Sequence, residues 1–139
     1  MRDRTMGDLV KDQQPLALPP GTSVAEACAA MRARRVGAVL VVEGDRLVGI
    51  FTGRDALRCL AEALDATATT LAQVMTAQPT TLPPHQGAME ALRVLDDGGF
   101  RHLPVCEEGR VVGIVSRYDF RAREHARLDE ESGFFERMR

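Results

Sequence analysis

The chain repeats itself after 64 residues, and this internal repeat constrains its fold more than any other feature. When residue n is placed over residue n+64, the chain aligns with itself without a gap from Thr5 to Leu60. The positions with an identical residue 64 places later are Thr5, Val10, Gln14, Pro15, Leu18, Pro19, Pro20, Glu26, Ala27, Val41, Glu43, Arg46, Val48, Gly49, Ile50 and Asp55. Such self-similarity is typical of a fold built from equivalent units. We therefore expect one module over residues 1–139 with duplicated halves at 5–64 and 69–124.

Both halves predict an amphipathic helix near their middle. Ser23-Val-Ala-Glu26 has the form of a capping box, which marks a helix start. Apolar residues then follow at positions i, i+3, i+4 and i+7, the spacing of one helical face. They are Val24, Ala27, Cys28 and Met31 in the first half and Ala88, Ala91, Leu92 and Leu95 in the second. Gly98–Gly99 is expected to end the second of these helices.

The remaining segments complete a β-α-β-β-α pattern in each half. A short extended segment precedes each Pro-Pro pair, since proline disfavours helix in the residue before it. Apolar runs at 38–42 and 47–51, and at 102–106 and 111–115, flank polar turns and predict hairpins. A second helix is predicted to begin near Gly53 or Arg117. Because a half of about 60 residues is only marginally stable alone, we expect an α/β fold whose halves pack with pseudo-twofold symmetry around a cleft.

Two segments lie outside the repeated pattern. Residues 61–70 are small and polar, as in a linker. Residues 125–139 carry Leu128, Phe134, Phe135 and Met138 among balanced charges, which predicts a C-terminal helix bent near Gly133. This tail either docks on its own chain or packs across a subunit interface.

Composition argues against several classes of function. Eighteen basic and 20 acidic residues give a net charge of −2, which disfavours nucleic acid and anionic membranes as partners. The longest apolar run, Val36 to Val42, is too short to span a bilayer, and no signal peptide is evident. Three scattered cysteines fit a reducing cytoplasm, and we expect Cys28, Cys59 and Cys106 to be core residues. His85, His102 and His125 lack the spacing of zinc ligands, so no metal is expected.

The positions best suited to chemistry lie in G-I-F-T-G-R-D and G-I-V-S-R-Y-D, which end at Asp55 and Asp119. Both place a hydroxyl, Thr52 or Ser116, three residues before the aspartate, where a strand meets a helix. One interpretation is a helix cap that satisfies free backbone amides. The other is a ligand site, since a helix N-terminus attracts phosphate and a carboxylate accepts hydrogen bonds from a ribose diol. The recurrence of the pattern in register favours the ligand site.

Catalysis is not expected. The chain has no Ser–His–Asp order with a nucleophile turn and no glycine-rich phosphate loop. Asp55 and Asp119 each fall in their own half, and no feature of the sequence places them beside a nucleophile. We therefore predict that the protein is not an enzyme and carries no catalytic cofactor.

The combined pattern resembles the CBS motif, named after cystathionine β-synthase, and two such motifs in tandem resemble a Bateman module. The resemblance extends to about residue 124 and is most specific from Phe100 to Asp119, F-R-H-L-P-V-C-E-E-G-R-V-V-G-I-V-S-R-Y-D. It implies regulatory binding of an adenosine-containing ligand, such as AMP, ADP, ATP or S-adenosylmethionine, in the cleft between motifs.

The resemblance also implies roles for individual residues. Asp55 and Asp119 match the ribose-binding aspartates of the family, and Thr52 and Ser116 match its hydroxyl residues. Segments lining the base pocket correspond to Leu16–Leu18 and Thr80–Leu82. Candidate phosphate ligands are Arg101, His102, Arg54 and Arg117. For Arg101 and His102, a solvated strand end is the alternative. Because Gly37 and Ala38 occupy the matching positions of the first half, the two sites should differ in phosphate affinity.

These expectations combine into one functional hypothesis and one rival. The hypothesis is a cytoplasmic, homodimeric regulatory module that binds an adenine nucleotide and signals to a separate effector protein by a shift in conformational populations. The rival is a protein–protein interaction or stress-related scaffold without a physiological nucleotide ligand.

Overall fold

The computed structural model describes residues 3–121 and 124–130 of a mixed α/β protein. Residues 131–139, which include the predicted bend near Gly133, lie outside the described residues. The elements in chain order are α1 (Met6–Leu9), β1 (Ala17–Leu18), α2 (Val24–Arg34), β2 (Ala38–Glu43), β3 (Arg46–Thr52), α3 (Gly53–Ala61), α4 (Leu71–Val74), β4 (Thr76–Ala77), α5 (Ala88–Gly98), β5 (His102–Glu107), β6 (Arg110–Ser116), a 3₁₀ turn (Arg117–Asp119) and α6 (124–130). Within these ranges, no helix is both long and apolar enough to cross a bilayer.

The first compact unit comprises residues 13–80 and 108–111. Its strand β1 pairs in parallel with β2, β2 pairs antiparallel with β3, and β4 pairs antiparallel with β3. This confirms the hairpin predicted across Gly44–Asp45. The buried core of this unit consists of Val24, Ala27, Met31, Val39, Val41, Phe51, Cys59, Leu71 and Val74, with Cys28 packed at its edge. The predicted stripe of α2 therefore faces the core.

The second compact unit comprises the described residues within 1–12, 81–107 and 112–139. Strands β5 and β6 are hydrogen-bonded neighbours, as the second predicted hairpin requires. Leu82 forms a parallel bridge with Val105, the counterpart of the Leu18–Val41 pair in the first unit. The core includes the whole predicted stripe of α5, and its buried members are Met6, Val10, Leu82, Ala88, Met89, Ala91, Leu92, Leu95, Leu103, Val105, Val115, Phe120 and Leu128.

Glycines explain two local features of these units. Gly99 follows α5 in the left-handed conformation, with φ of 66°, so the predicted glycine cap is confirmed. Gly49, from the repeated V-G-I sequence, lies opposite Ala77 of β4. A Cβ at this position would approach the Met75 sulfur to 2.4 Å. Glycine therefore allows the β4 segment to pack closely on β3.

The short helices α1 and α4 do not follow the boundaries of the sequence repeat. Helix α1 contributes Met6 to the core of the second unit, although it precedes the first half of the sequence. Helix α4 contributes Leu71 and Val74 to the core of the first unit. The compact units are therefore not the sequence halves 5–64 and 69–124. The capping threonines of these helices, Thr5 and Thr70, are 65 positions apart, so the gapless offset of 64 is wrong by one residue here.

The prediction of a helix beginning near Arg117 is confirmed in its start but not in its type or length. The turn Arg117–Asp119 is a 3₁₀ helix, Phe120 is extended, and α6 occupies 124–130. In the first unit, α3 runs from Gly53 to Ala61 without a break, as predicted. Phe120 and Leu128 both enter the core of the second unit, one before this break and one after it.

The equivalent helices α2 and α5 are capped differently. Ser23 accepts a hydrogen bond from the Glu26 amide at 3.1 Å, which forms one half of the predicted capping box. The matching residue at α5 is Gly87, which has no side chain to offer. There the carboxylate of Asp3 accepts a long hydrogen bond of 3.5 Å from the Met89 amide. A residue of the N-terminal segment thus supplies the acceptor that the repeat lacks.

Candidate functional site

The first T-x-x-D turn joins β3 to α3 and forms a complete capping box. The Asp55 Oδ2 atom accepts hydrogen bonds from the Thr52 backbone amide at 2.9 Å and from the Thr52 hydroxyl at 3.2 Å. The Thr52 hydroxyl accepts a longer bond from the Asp55 amide at 3.5 Å. The Gly53 amide donates to the carbonyl of Gly37 at 3.0 Å. Much of the hydrogen-bonding capacity of this helix start is therefore used within the unit.

The second oxygen of Asp55 lies near a guanidinium that the sequence analysis did not consider. Arg58 Nη2 lies 3.6 Å from Asp55 Oδ1 and donates a hydrogen bond of 2.7 Å to the Val74 carbonyl. The Asp55 side chain is only 17% exposed. The spacing of three residues on one helix is a readable signal for such an ion pair. Arg58 thus holds the first carboxylate against its own helix.

The second turn, from Ser116 to Asp119, has the same cap but a more open carboxylate. Asp119 Oδ2 accepts hydrogen bonds from the Ser116 amide at 2.6 Å and the Ser116 hydroxyl at 3.3 Å. Asp119 is exposed, and no hydrogen bond to its Oδ1 atom forms within the described part of the chain. The cap consumes one carboxylate oxygen, so the other remains available to accept from a ligand hydroxyl.

His102 lies close enough to Asp119 of this turn and to Arg101 to interact electrostatically with both. His102 is half-buried, and its Nδ1 atom is buried without a hydrogen-bond partner among the described residues. Burial lowers the pKa of His102, while the Asp119 carboxylate opposes that shift and Arg101 adds to it. An unpartnered buried ring nitrogen carries a free-energy cost that a hydrogen bond to a ligand would remove.

The other predicted phosphate ligands are less clearly placed. Arg117 Nη1 forms an ion pair of 3.0 Å with Asp96 of α5, and both side chains are 46% exposed. Such an exposed pair contributes little and would break readily for a ligand. Arg54 is exposed at the start of α3. Six of the predicted site residues thus belong to the second unit, namely Leu82, Arg101, His102, Ser116, Arg117 and Asp119.

The predicted base-pocket segments differ in how much of each side chain is accessible. Leu16 and Leu18 are half-buried against the core of the first unit, and the Leu16 carbonyl accepts from the Leu40 amide at 2.9 Å. Thr80 is exposed at the end of that unit. Leu82 is 5% exposed within the core of the second unit. Its side chain is therefore occupied in packing, and its backbone bonds to Pro104 and Cys106.

Two charged residues at the second turn were missed by the sequence analysis. Arg4 donates a hydrogen bond of 3.2 Å to the Asp119 carbonyl and forms an ion pair with Glu124, which is 8% exposed. The hydrogen bond to Glu124 raises the pKa of Arg4. Burial alone would raise the pKa of Glu124, but its hydrogen bonds to Arg4 and Arg121 hold it below its ordinary value. These partners are about 120 positions apart in sequence, so no local pattern signals the contact.

Metal binding finds no support in the described ranges, where no three His, Cys, Asp or Glu side chains converge.

A protein-family model for the CBS domain matches residues 6–62 and again 71–125. The chain belongs to the CBS domain family. The resemblance predicted from the repeated motifs is therefore confirmed, as is the α/β fold class with two tandem CBS motifs.

Known CBS proteins include relatives in sequence and in structure. The chain is 42% identical over 102 residues to the CBS domain-containing protein CBSCBSPB3 of Arabidopsis thaliana, covering 72% of this chain and 18% of that protein. It thus spans less than a fifth of the length of that relative. The CBS domain protein PAE2072 from Pyrobaculum aerophilum, complexed with AMP, superposes with a TM-score of 0.81 at 23% identity, over 91% of this chain and 98% of that one.

A second structure gives a similar result. The CBS domain pair of protein MJ0100, in complex with 5′-methylthioadenosine and S-adenosyl-L-methionine, has a TM-score of 0.75 at 21% identity. The match covers 94% of this chain and 99% of that one. At these identities the two structures establish the shared fold of CBS domain pairs.

Proposed function

We propose that the chain is a regulatory module that binds an adenosine-containing ligand through its T/S-x-x-D turns. The observation that carries the proposal is the carboxylate of the exposed residue Asp119, which caps its turn through Oδ2 and leaves Oδ1 outside the cap. Two proteins of the same fold, one bound to AMP and one to S-adenosylmethionine and methylthioadenosine, support the ligand class. The chemistry shared by those ligands is the adenosyl group.

In this proposal the second turn binds the ribose. Asp119 Oδ1 accepts hydrogen bonds from the cis-diol, and the Ser116 cap keeps the carboxylate in place. Arg101 supplies positive charge for a phosphate or another anionic group, and such a group would favour the protonated form of His102. The first turn acts more weakly, since Arg58 already lies 3.6 Å from Asp55 Oδ1. Leu16, Leu18, Thr80 and Leu82, with Arg54 and Arg117, remain proposed contacts for base and phosphate.

The proposed output is a change in conformational populations rather than a chemical reaction. A ligand shifts an equilibrium only by its difference in affinity for the states, so the reading partner must distinguish those states. We propose an effector protein in the cytoplasm as that partner. The cysteines at 28, 59 and 106 are free thiols, in agreement with a reducing compartment.

We also propose that two copies associate through α3. Leu57, Leu60 and Leu64 are 65%, 77% and 39% exposed, which is unusual for three leucines on one segment. Arg54 near the start of this segment and Glu62 near its end would pair as unlike charges in an antiparallel arrangement of two copies.

Light scattering tests the proposed dimer, because the double change Leu57→Glu and Leu60→Glu should yield monomers. Ala33→Glu, which adds one negative charge at an exposed position of α2, should leave a dimer. Wild-type protein that is monomeric would overturn the proposal.

Calorimetric titration and thermal unfolding with AMP, ADP, ATP and S-adenosylmethionine test whether the chain binds an adenosine-containing ligand. At 100 times its dissociation constant, a ligand should stabilise the native state by about 2.7 kcal/mol, a shift of several degrees in the unfolding midpoint. We expect Asp119→Ala to reduce this shift to about half or less at the same ligand concentration. Asp8→Ala is the matched control, since Thr5 and Asp8 form the same capping box at α1 and have no proposed ligand role.

The scaffold hypothesis predicts a different result. If none of the four compounds binds wild-type protein at millimolar concentration, the turns serve as helix caps only. A protein partner that contacts the exposed leucines of α3, Leu57 and Leu60, would then be the alternative.

A further inference from the structure

The contact network around Arg4 joins the second turn to the following helix. We propose that Arg4 is a positioning residue that couples occupancy of the Ser116–Asp119 turn to the docking of α6. The coupling rests on the proposed function, since it requires a ligand at Asp119. Its structural part, the attachment of α6 through Arg4, is measurable without any ligand.

The first step is the geometry of the guanidinium. Arg4 Nη2 donates to the Asp119 carbonyl at 3.2 Å, while Nε and Nη2 donate to the two carboxylate oxygens of Glu124, the former at 3.3 Å. Glu124 Oε1 also accepts from the Arg121 amide at 2.7 Å, which ties the carboxylate to the start of α6. One side chain therefore contacts both the turn and the helix, through hydrogen bonds of the strong, charge-assisted kind.

The second step is the effect on the turn. Arg4 bonds to the carbonyl of Asp119, the last residue of the three-residue 3₁₀ helix. The side chain of the same residue accepts the hydrogen bond from the Ser116 amide. A displacement of this carbonyl rotates the Asp119 backbone and moves its Oδ1 atom. The guanidinium also interacts favourably with the Asp119 charge. Arg4 thereby influences both the position and the electrostatic environment of the proposed ribose acceptor.

A further contact links α6 to the same turn. His125 Nε2 lies 3.1 Å from the Arg117 carbonyl, and its ring meets Phe120 edge-on with centroids 6.3 Å apart. The turn is thus held from both of its ends by residues of α6 or by their partner Arg4. An element fixed in this way transmits small displacements, because packed contacts are stiff.

The first turn lacks this network. Arg4 precedes the capping Thr5 as Thr69 precedes the capping Thr70, and the residue 64 positions before Glu124 is Leu60, so neither counterpart is charged. Helix α3 continues from its turn without a break, so no separate element is available for docking. The proposed coupling therefore belongs to the second turn alone.

The experiment combines AMP titration with hydrogen exchange of residues 124–130. Arg4→Met removes the donors while keeping an unbranched side chain. Arg93→Met is the matched control, because it removes an exposed ion pair with Glu90 in the same unit. We expect Arg4→Met to weaken AMP binding about fivefold or more, within the usual range of coupling between sites. It should also speed amide exchange in 124–130, whereas Arg93→Met should change neither quantity more than about twofold.

By reciprocity, AMP should slow exchange in 124–130 of the wild type, and this response should be lost in Arg4→Met. A variant that loosens α6 yet binds AMP like the wild type would overturn the coupling. Unchanged exchange in the variant would overturn the attachment itself. Wild-type protein that binds none of AMP, ADP, ATP and S-adenosylmethionine would overturn the proposed function, and the coupling with it, before any variant is compared.

Glu124→Gln provides a second route should Arg4→Met fail to fold. Glutamine keeps an acceptor for the Arg121 amide and loses the charge that Arg4 needs. We expect the same direction of change in AMP affinity and exchange, with a smaller size. Arg4→Lys should restore part of both, since lysine keeps the charge but lacks the planar fork that reaches two acceptors. No recovery of either quantity in Arg4→Lys would count against the proposed geometry.

Discussion

The two T/S-x-x-D turns share a sequence pattern and a cap, but their carboxylates are placed differently. Asp55 is largely covered and lies beside Arg58, while Asp119 is exposed and has its backbone held by Arg4. The difference arises from the helix that follows each turn. The first turn begins α3, which has nine residues, and the second begins a 3₁₀ helix of three residues. A local motif therefore specifies the cap, and the packing beyond it decides how much of the carboxylate a ligand can reach.

The largest effect is expected where that packing differs most. Phe120 is 6% exposed in the second core, while its counterpart in the repeat is Ala56. Phe120→Ala should lower the free energy of unfolding by about 3–5 kcal/mol, as for other buried phenylalanines. Urea unfolding measures this. Tyr118→Ala is the control, since that ring is 98% exposed and should change stability by less than about 0.5 kcal/mol.

The next effect concerns ligand affinity. If Asp119 is the principal ribose acceptor, Asp119→Ala should weaken AMP binding by about 10–100-fold, the equivalent of a hydrogen bond to a charged group. Asp55→Ala should weaken it less, because Arg58 competes for that carboxylate. Calorimetric titration of both variants decides the order. Equal losses would show that the difference in exposure has no consequence for binding.

The ion pair of Arg4 and Glu124 should make stability depend on pH in the second unit. The folded state holds the pKa of Glu124 below its ordinary value of 4.5. Below pH 4.5 the unfolded chain therefore binds more protons at this group, so its contribution is fully present above pH 4.5 and is lost as pH falls through the folded pKa. Thermal unfolding from pH 7 to pH 3 should show a smaller acid loss in Glu124→Gln. An identical slope would contradict this.

The capping difference between α2 and α5 predicts a smaller change. Ser23→Ala should cost about 1 kcal/mol, the usual value for losing an N-cap acceptor. Asp3→Ala should cost less, since its hydrogen bond to the Met89 amide is 3.5 Å long. Gly87→Ser should not stabilise α5 while Asp3 is present, because its Cβ would lie 2.7 Å from the Asp3 carboxylate. Denaturant midpoints of the three variants measure these effects.

The smallest effect is expected at His102. Burial, the main cause, lowers its pKa below 6.5 in the folded state. The unfolded chain then binds more protons just below pH 6.5, so stability is highest above that pH and falls as pH decreases toward the folded pKa. Adding AMP should reverse the trend if its phosphate pairs with protonated His102. Unfolding midpoints at pH 5.5 and 7.5, with His102→Gln as control, test both statements.

Sequence patterns predicted much of the fold because most of it is locally encoded. The stripes of α2 and α5, both hairpins and the Gly99 cap depend on spacing and turn residues within a few positions of each other. The break after Asp119 was not predicted, because no glycine or proline marks it in the sequence. The caps at Thr52 and Ser116 were predicted correctly as one of two interpretations.

The parts of the site that escaped prediction depend on contacts between distant segments. Arg4 and Glu124 are separated by about 120 residues, and neither belongs to a repeated position. The exchange of α1 and α4 between cores is likewise invisible to an alignment of the halves, since it changes which core a segment joins and not its sequence pattern. Arg58 was the exception, because its spacing from Asp55 is readable on a helix.

That exchange has a consequence for how the protein can be divided. A recombinant fragment cut near residue 64 would contain α1, whose Met6 belongs to the other core, and would lack Leu71 and Val74 of its own. Each half-length fragment would therefore have a core that lacks one of its helices and a short apolar helix that has no core to pack against. Two copies of the N-terminal fragment could each place α1 in the vacant site of the other, as in domain swapping. The smallest self-sufficient piece of the gene is then longer than one copy of its repeat.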